Sequence, residues 1–143
     1  DLYSQPDGIR SLPLYMCSSV EGVIPEEAKA KIAADITDIH CELTGAPRTS
    51  VQAFFFEDAP QLPIIGKRVF LFGNIPAGHT DEQKAELASR MKASIYTHAG
   101  VPQDEIIADT ADVPASWVME GGKVLPEPGE EQAWRASGSA PAA

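Results

Sequence analysis

The fold of this chain is decided by three segments, which read LPLYMC at residues 12–17, PEEAK at residues 25–29 and ITDIHCELTG at residues 36–45. Successive side chains of a strand point to opposite faces of a sheet. The first segment therefore predicts a short strand, Pro13–Ser18, with Leu14 and Met16 on one face and Tyr15 and Cys17 on the other.

The other two segments belong to one amphipathic helix. Apolar residues recur there every third or fourth position, which is the spacing of a single helical stripe: Ile32, Ile36, Ile39 and Leu43. Pro25 suits the first position of the helix, and Gly45 suits its end. His40 follows the stripe residue Ile39, so we expect its side chain to project from the edge of the stripe.

The rest of the chain repeats this order. The pattern predicts a buried strand at 51–56, a loop at 57–66, a third strand at 68–74, a helix from 80 to about 99, a fourth strand at 105–108 and a short helix at 114–120. Thr80 and Gln83 have the spacing of a capping box, and Leu87, Met91 and Ile95 should lie on the buried side of the second helix.

Two strand–helix–strand units predict an α+β fold, in which two β-α-β repeats form a four-stranded mixed sheet with both helices on one face. The other face should carry several of the phenylalanines at 54–56, 70 and 72, and would need a cover. Self-association is the simplest cover. We expect an N-terminal arm at 1–12, a folded domain at 13–134 and a mobile, Pro- and Gly-rich tail at 135–143.

Composition excludes several classes of function. A net charge of −10 argues against nucleic acid as a partner, because phosphate binding requires clustered lysines and arginines. The sequence has no apolar run long enough to span a membrane. Two cysteines are too few for a disulfide framework, and they predict buried thiols in a reducing, cytoplasmic compartment. A Cys17–Cys41 disulfide, or a nucleophilic thiol beside His40, is the alternative.

Several landmarks together resemble the tautomerase superfamily, specifically its cis-3-chloroacrylic acid dehalogenase-like group. The resemblance covers residues 13 to about 134 and rests on PLYM at 13–16, ITDIH at 36–40, LTG at 43–45, VPA at 113–115, MEGG at 119–122 and LPEPG at 125–129. It implies a homotrimer packed sheet to sheet as a barrel. It also implies a cofactor-independent isomerase or lyase that acts on a small molecule.

The resemblance also implies a site. In that family a proline with a free amine acts as base or acid, and Pro13 matches it. The helix histidine of the family matches His40, and its water-activating glutamate matches Glu120. We therefore assign Pro13, His40 and Glu120 as candidate catalytic residues.

This sequence departs from the family pattern at three places. Pro13 follows Leu12, so its nitrogen is an amide that cannot act as an amine. Pro76 and His79 occupy the positions of two carboxylate-binding arginines, and Asp109 replaces a tyrosine. A neutral or weakly charged carbonyl or unsaturated substrate fits such a pocket better than an anion. His79, Asp109 and Tyr15 are the candidate substrate-binding residues.

Other interpretations of these residues remain open. His40 could be a structural histidine near the end of its helix, and Glu120 could be a solvated carboxylate. No metal-ligand spacing is present, so we expect no metal, although His79, Asp109 and Asp112 could join His40 and Glu120 around one. The chain could also be a non-catalytic binding or structural trimer, or an amine-dependent tautomerase if the arm is cleaved before Pro13.

Overall fold

The computed structural model describes residues 12–59, 65–114, 119–120 and 123–124, with side chains described up to 57 and from 65 to 114. Within these ranges the chain forms β1 (Leu14–Val20), α1 (Glu26–Thr44), β2 (Gln52–Ala59), β3 (Val69–Pro76), α2 (Asp81–Ala99), β4 (Ile106–Val113), β5 (Met119–Glu120) and β6 (Lys123–Val124). Single turns of 3₁₀-helix at Arg48–Ser50 and Gln103–Glu105 precede β2 and β4.

The first four strands form one mixed sheet in the order β2-β1-β3-β4. Each strand–helix–strand unit contributes a parallel pair, and β1 and β3 join the two units as an antiparallel pair at the centre. Leu14 lies opposite Gln52 on one side and Asn74 on the other. The predicted α+β fold of two β-α-β repeats is therefore confirmed.

The two units end their helices in the same way. Gly45 and Gly100 follow α1 and α2 with φ values of 78° and 71°, in the left-handed region where glycine carries no Cβ penalty. Their amides donate to the carbonyls of Cys41 and Tyr96. The predicted capping box of Thr80 and Gln83 at the start of α2 is confirmed.

The core lies between the helices and the inner face of the sheet. The predicted stripe of α1 is buried at Ile32, Ile36 and Ile39, and that of α2 at Leu87, Met91 and Ile95. They pack against alternate strand residues, namely Tyr15, Cys17, Val69, Leu71, Ile75 and Ile106. Burying such side chains contributes about 1.5–3 kcal/mol each, which makes this layer the main source of stability.

The outer face of the sheet is apolar and partly open to solvent. Phe54 and Phe56 are 37% and 43% exposed, and Phe70 stacks on Phe72 in the neighbouring part of the face. The strand of residues 51–56 is only half buried: Val51, Ala53 and Phe55 pack on the core, whereas the alternate residues face outward, so the prediction of a buried strand was wrong. β2 is also an edge strand of the sheet. An edge strand with exposed aromatic residues is a surface prone to association.

Three further boundaries differ from the sequence prediction. The fourth strand continues to Val113, and Pro76 ends β3 instead of lying in the following turn. Met119 and Glu120 form a two-residue strand, not the end of a helix, while residues 115–118 lie outside the described residues. β3 and β4 support each other over their full length, because they pair in parallel from Val69 opposite Ile106 to Pro76 opposite Val113.

The termini are only partly covered by this description. Residues 1–11 of the predicted arm and the predicted tail at 135–143 lie outside the described residues, so the domain boundaries stay predictions. Leu12, the last residue of the arm, is 6% exposed. None of the helices in the described ranges combines the length and the apolar character that crossing a membrane requires.

Candidate active site

A buried hydrogen bond joins β1 to α1 at the centre of the candidate site. The Tyr15 hydroxyl lies 2.7 Å from Nδ1 of His40, and their rings meet edge to face with centroids 5.6 Å apart. Tyr15 is 1% exposed and His40 is 0% exposed. The hydroxyl can donate to an unprotonated Nδ1 or accept from a protonated one, so this contact fixes the orientation of the imidazole in either tautomer.

The local sequence explains this geometry. His40 follows Ile39 and lies on the sheet side of α1, in the last turns of the helix. Tyr15 has room for its ring because Gly73 lies across from it on β3: an added Cβ at Gly73 would fall 2.4 Å from Cε1 of Tyr15. Glycine within a strand often marks such a close approach.

Burial changes the acid–base behaviour of His40. Removal from water, and secondarily the charge of nearby His79, lower the pKa of His40 to about 4 from an ordinary value of 6.5. The sequence predicted that His40 would project from the edge of the helical stripe, but the structure buries the ring completely. At neutral pH the ring is uncharged, so it can donate or accept a hydrogen bond but is a weak base.

This shift makes the stability of the fold depend on pH. The unfolded chain binds a proton at His40 as the pH falls through 6.5, whereas the folded chain does so only near pH 4. The contribution of neutral His40 to the unfolding free energy is fully present above pH 6.5 and is lost as the pH falls towards 4. We expect His40 to account for about 2 kcal/mol of lost unfolding free energy between pH 7 and pH 5.

Urea unfolding of the wild type and of His40→Gln at these two pH values measures this contribution. The other histidines are common to both proteins and cancel in the comparison. The difference in unfolding free energy between pH 7 and pH 5 should be smaller in the variant. An identical pH dependence in both proteins would contradict a lowered pKa at His40.

His79 lies beside His40 on the turn between β3 and α2. The ring centroids are 6.2 Å apart. Nδ1 of His79 lies 2.9 Å from the carbonyl oxygen of Pro76, and since a carbonyl can only accept, Nδ1 carries the proton of that bond. Nε2 of His79 is then the atom that a neutral ring offers as an acceptor. The structure thus brings Tyr15, His40 and His79 together, as the sequence-based site requires.

Pro13 precedes this cluster on the same strand. It is buried, and Leu12 is joined to its nitrogen by a cis peptide bond. Its carbonyl accepts a hydrogen bond from the Gln52 amide at 3.0 Å, which extends the pairing of β1 and β2 by one residue. In the described chain Pro13 therefore contributes backbone pairing, and its nitrogen is an amide.

The remaining predicted residues have other contacts or lack a described side chain. Asp109 is exposed on β4 opposite Phe72, on the outer face of the sheet, and its carboxylate accepts from the Thr110 amide. Asp112 pairs with Lys84 at 3.0 Å. The backbone of Glu120 pairs with Lys123 in the small second sheet, and the position of its side chain lies outside what the structure describes.

Both cysteines are free thiols. Burial raises the pKa of Cys17 to about 12, and burial also raises the pKa of Cys41. Neither thiol is therefore prepared as a thiolate nucleophile, and the two are not joined as a disulfide. Within the described ranges, no group of three or more histidine, cysteine and carboxylate side chains could hold a metal ion.

A surface groove of about 470 Å³ lies elsewhere, between α1 and α2. Ser94 and His98 of α2 both bond to one carboxylate oxygen of Asp35 on α1, at 2.8 and 2.9 Å, and Arg90 pairs with Glu42. These contacts join the two helices. The groove contains none of the residues that the sequence assigns to the site.

Two residues near the candidate site, Gly73 and Gln83, were not assigned their roles from the sequence. Gly73 was included in a predicted strand without a role, although a glycine inside a strand signals close backbone approach. Gln83 was assigned only to the capping box, but its side-chain amide also donates to the carbonyl of Leu43 at 3.1 Å. No pattern in the sequence predicts this second contact, because it joins two distant segments.

Solved structures resemble this chain over most of its length. N1, a member of the cis-3-chloroacrylic acid dehalogenase family, is 31% identical with a TM-score of 0.71, over 87% of this chain and 92% of its own. A symmetric trimer of a fused 4-OT is 24% identical with a TM-score of 0.65, over 73% and 88% of the two chains.

Macrophage migration inhibitory factor of Toxoplasma gondii shares the fold at 17% identity, with a TM-score of 0.68 over 79% of this chain and all of that chain. No protein-family model and no curated protein matches the sequence.

Proposed function

Because the chain belongs to the tautomerase superfamily, in its cis-3-chloroacrylic acid dehalogenase-like group, we propose that it is a cofactor-independent isomerase or lyase that transfers protons on a small carbonyl or unsaturated substrate. The observation that carries this proposal is the buried Tyr15–His40 pair with His79 beside it. Buried polar groups are retained at a cost in desolvation, and their clustering is typical of functional sites.

The proposed chemistry uses a neutral imidazole. A substrate carbonyl would accept a hydrogen bond from a ring N–H of His40 while a carboxylate, which we assign to Glu120, removes a proton from the adjacent carbon. The negative charge that develops on the oxygen is stabilised by the N–H donor, as a neutral histidine can do. Return of the proton to another atom of the same substrate completes an isomerisation. Tyr15 keeps the ring in position.

The described chain also constrains the approach of a substrate. His40 and Tyr15 have almost no solvent-exposed surface, so a substrate can reach them only after a local movement of the chain. Such movements of loops and termini commonly accompany substrate binding. The amide at Pro13 leaves side chains to perform the proton transfers unless the Leu12–Pro13 bond is cleaved.

The charge of the site argues against an anionic substrate. Arginine pairs bind carboxylates through two parallel hydrogen bonds, and this chain has Pro76 and His79 at the matching positions. Asp109, at the position of the family tyrosine, lies on the outer face of the sheet and adds no charge beside His40 within one chain. We expect no useful turnover of 3-chloroacrylates. Halide release at rates comparable to a committed dehalogenase would contradict this assignment of the pocket.

Proton transfer can be tested directly. Enol and keto forms of neutral carbonyl compounds, supplied in deuterated buffer, report stereospecific deuterium incorporation by NMR if the protein catalyses the exchange. Intact mass and N-terminal sequencing of the same sample establish whether Pro13 is blocked. Exchange at the buffer rate across a panel of aldehydes, ketones and unsaturated esters would argue against an enzyme of this type.

The full burial of His40 favours a second candidate function. A Tyr–His hydrogen bond with no solvent access could serve only to fix α1 on β1, and the chain would then be a non-catalytic binding or structural trimer. The two candidates differ in how Tyr15→Phe behaves. A structural role predicts a loss of stability alone, whereas a catalytic role predicts a loss of exchange rate at temperatures where the variant stays folded.

We also propose that the outer face of the sheet is covered by self-association into a homotrimer. Phe54, Phe56, Phe70 and Phe72 would be buried there, and related solved structures include trimers of fused 4-OT. Light scattering should report a trimer for the wild type and a smaller species for Phe54→Glu. Tyr96→Glu, at an exposed aromatic on α2, is the matched control and should leave the mass unchanged. A stable wild-type monomer in dilute buffer would contradict the proposal.

A further inference from the structure

The side chain of Gln83 bonds two backbone groups from two different parts of the chain. Its side-chain oxygen accepts from the Thr80 amide at 2.8 Å, and its own amide donates to the Thr80 hydroxyl at 3.1 Å, which completes the capping box of α2. Its side-chain nitrogen donates to the carbonyl of Leu43 at 3.1 Å. One side chain therefore joins the start of α2 to the end of α1.

The Leu43 carbonyl needs a partner of this kind. It is one of the last four carbonyls of α1, for which the helix itself provides no N–H donor. The last turn of α1 contains no basic residue that could bind these groups or balance the helix dipole. The Gln83 amide is thus a direct donor to this helix end, supplied from the neighbouring helix.

The two ends that Gln83 joins are the ones that carry the two histidines. His40 lies three residues before Leu43 in α1, and His79 immediately precedes Thr80. The ring of His40 is bonded to Tyr15, and the ring of His79 is bonded to the Pro76 carbonyl. Each ring is therefore fixed to the sheet, while the backbone segments that carry the rings are fixed to each other through Gln83.

We propose that Gln83 is a positioning residue that sets the 6.2 Å separation of the His40 and His79 rings by clamping the end of α1 to the start of α2. This inference rests on the proposed function, in which both rings line one site. Gln83 contacts neither ring and transfers no proton itself. Its role is to keep His40 packed and uncharged beside the turn that carries His79.

The consequence of losing the clamp follows from the surroundings of His40. Among the described residues, the titratable groups that face its ring are Tyr15 from β1 and His79 from the turn after β3. Its low pKa comes first from burial and second from the proximity of His79. If the end of α1 moves away from α2, water gains access to the ring and the two imidazoles separate. Both changes favour the protonated form of His40.

Two variants separate the clamp from the helix cap. Gln83→Met keeps the size and flexibility of the side chain but removes the donor to Leu43 and the acceptor for the Thr80 amide. Thr80→Ala removes the capping hydroxyl and leaves the Gln83–Leu43 contact intact. Proton–nitrogen NMR titration of the histidine rings reports the proton affinity of His40 in each protein, without any substrate. Amide hydrogen exchange at Leu43, Thr44 and Gly45 reports the opening of the end of α1.

We expect Gln83→Met to raise the proton affinity of His40 about tenfold, which is one pKa unit, and to accelerate amide exchange at the end of α1. Thr80→Ala should lower the melting temperature and change neither readout. Unchanged His40 titration and unchanged exchange in Gln83→Met would overturn the proposal. So would equal changes in Thr80→Ala, because they would assign the effect to the helix cap.

A second variant covers the case in which Gln83→Met does not fold. Gln83→Glu retains an acceptor for the Thr80 amide but cannot donate to Leu43, and amide exchange at the end of α1 should again accelerate. Deuterium exchange into carbonyl compounds is measured in parallel. If the His40 titration shifts as expected and no variant or wild type catalyses exchange, the clamp stands and the proposed enzymatic function fails.

Discussion

Replacement of His40 by alanine should reduce the rate of proton transfer by about 10²–10⁴-fold, the usual loss when a group that takes part in proton transfer is removed. The imidazole is held by Tyr15 at 2.7 Å and lies beside His79, so no other described side chain can take over its position. In the proposed mechanism its ring N–H stabilises the charge that forms on the substrate oxygen. Alanine removes this donor completely.

The measurement compares deuterium incorporation by His40→Ala, Glu120→Gln, Pro13→Ala and the wild type, with the fold checked by circular dichroism and the assembly by light scattering. Glu120→Gln should lose activity on the same scale, and Pro13→Ala should lose much less, because an amide nitrogen has no proton to exchange. His98→Ala is the matched control, since that ring bonds Asp35 between the helices and lies outside the candidate site.

One pattern of results would overturn the side-chain mechanism. If Pro13→Ala alone abolished activity and sequencing found a free amine at Pro13, the arm would have been removed and the proline would be the reacting group. Equal activity of His40→Ala and the wild type would exclude a catalytic role for the imidazole. That outcome would leave the Tyr15–His40 pair as a structural contact.

Replacement of Gly73 by alanine should destabilise the fold and impair the site together. The new Cβ would lie 2.4 and 2.7 Å from two carbons of the Tyr15 ring, closer than real contacts allow. The ring cannot yield freely, because it is buried in the core and its hydroxyl is bonded to His40. Overpacking of this kind costs about 1–3 kcal/mol of unfolding free energy. Displacement of the hydroxyl would misplace His40, and a misplacement near 1 Å can cost about 10²-fold in rate.

Urea unfolding and the deuterium-exchange assay measure the two effects. Tyr15→Leu shortens the side chain and serves as the partner in a double-mutant cycle. The loss of unfolding free energy caused by Gly73→Ala should be smaller in the Tyr15→Leu background, since the clashing ring atoms are gone. Equal penalties in both backgrounds would show that the glycine is required for a reason other than space for Tyr15.

Much of the fold could be predicted from short-range patterns. The stripe of α1, the capping box of α2 and the glycines that end both helices each depend on neighbours within about one turn, so their signals are complete in the sequence. The burial of strand residues cannot be predicted from such short-range signals. The phenylalanines of residues 54–56 look like one buried run, and two of them face outward because the helices pack on only one face of the sheet.

Part of the candidate site could be predicted from the sequence, but its chemistry could not. Tyr15, His40 and His79 could be assigned from the family resemblance, and the structure brings them together. The uncharged state of His40 depends on how completely three-dimensional packing excludes water, which a helical stripe does not indicate. Asp109 was matched by position alone, and the register of β4 on β3 places it on the opposite face of the sheet from His40.

The two strand–helix–strand units are arranged on either side of the β1–β3 pair, and their helices end in the same way at Gly45 and Gly100. Aligning Gly45 with Gly100 places His40 of the first unit at the position of Ile95 in the second, and Ile95 is fully buried in the core. The first unit thus has a polar group at this position, while the second has an apolar one. A trimer of this chain would contain six such positions and only three histidine sites.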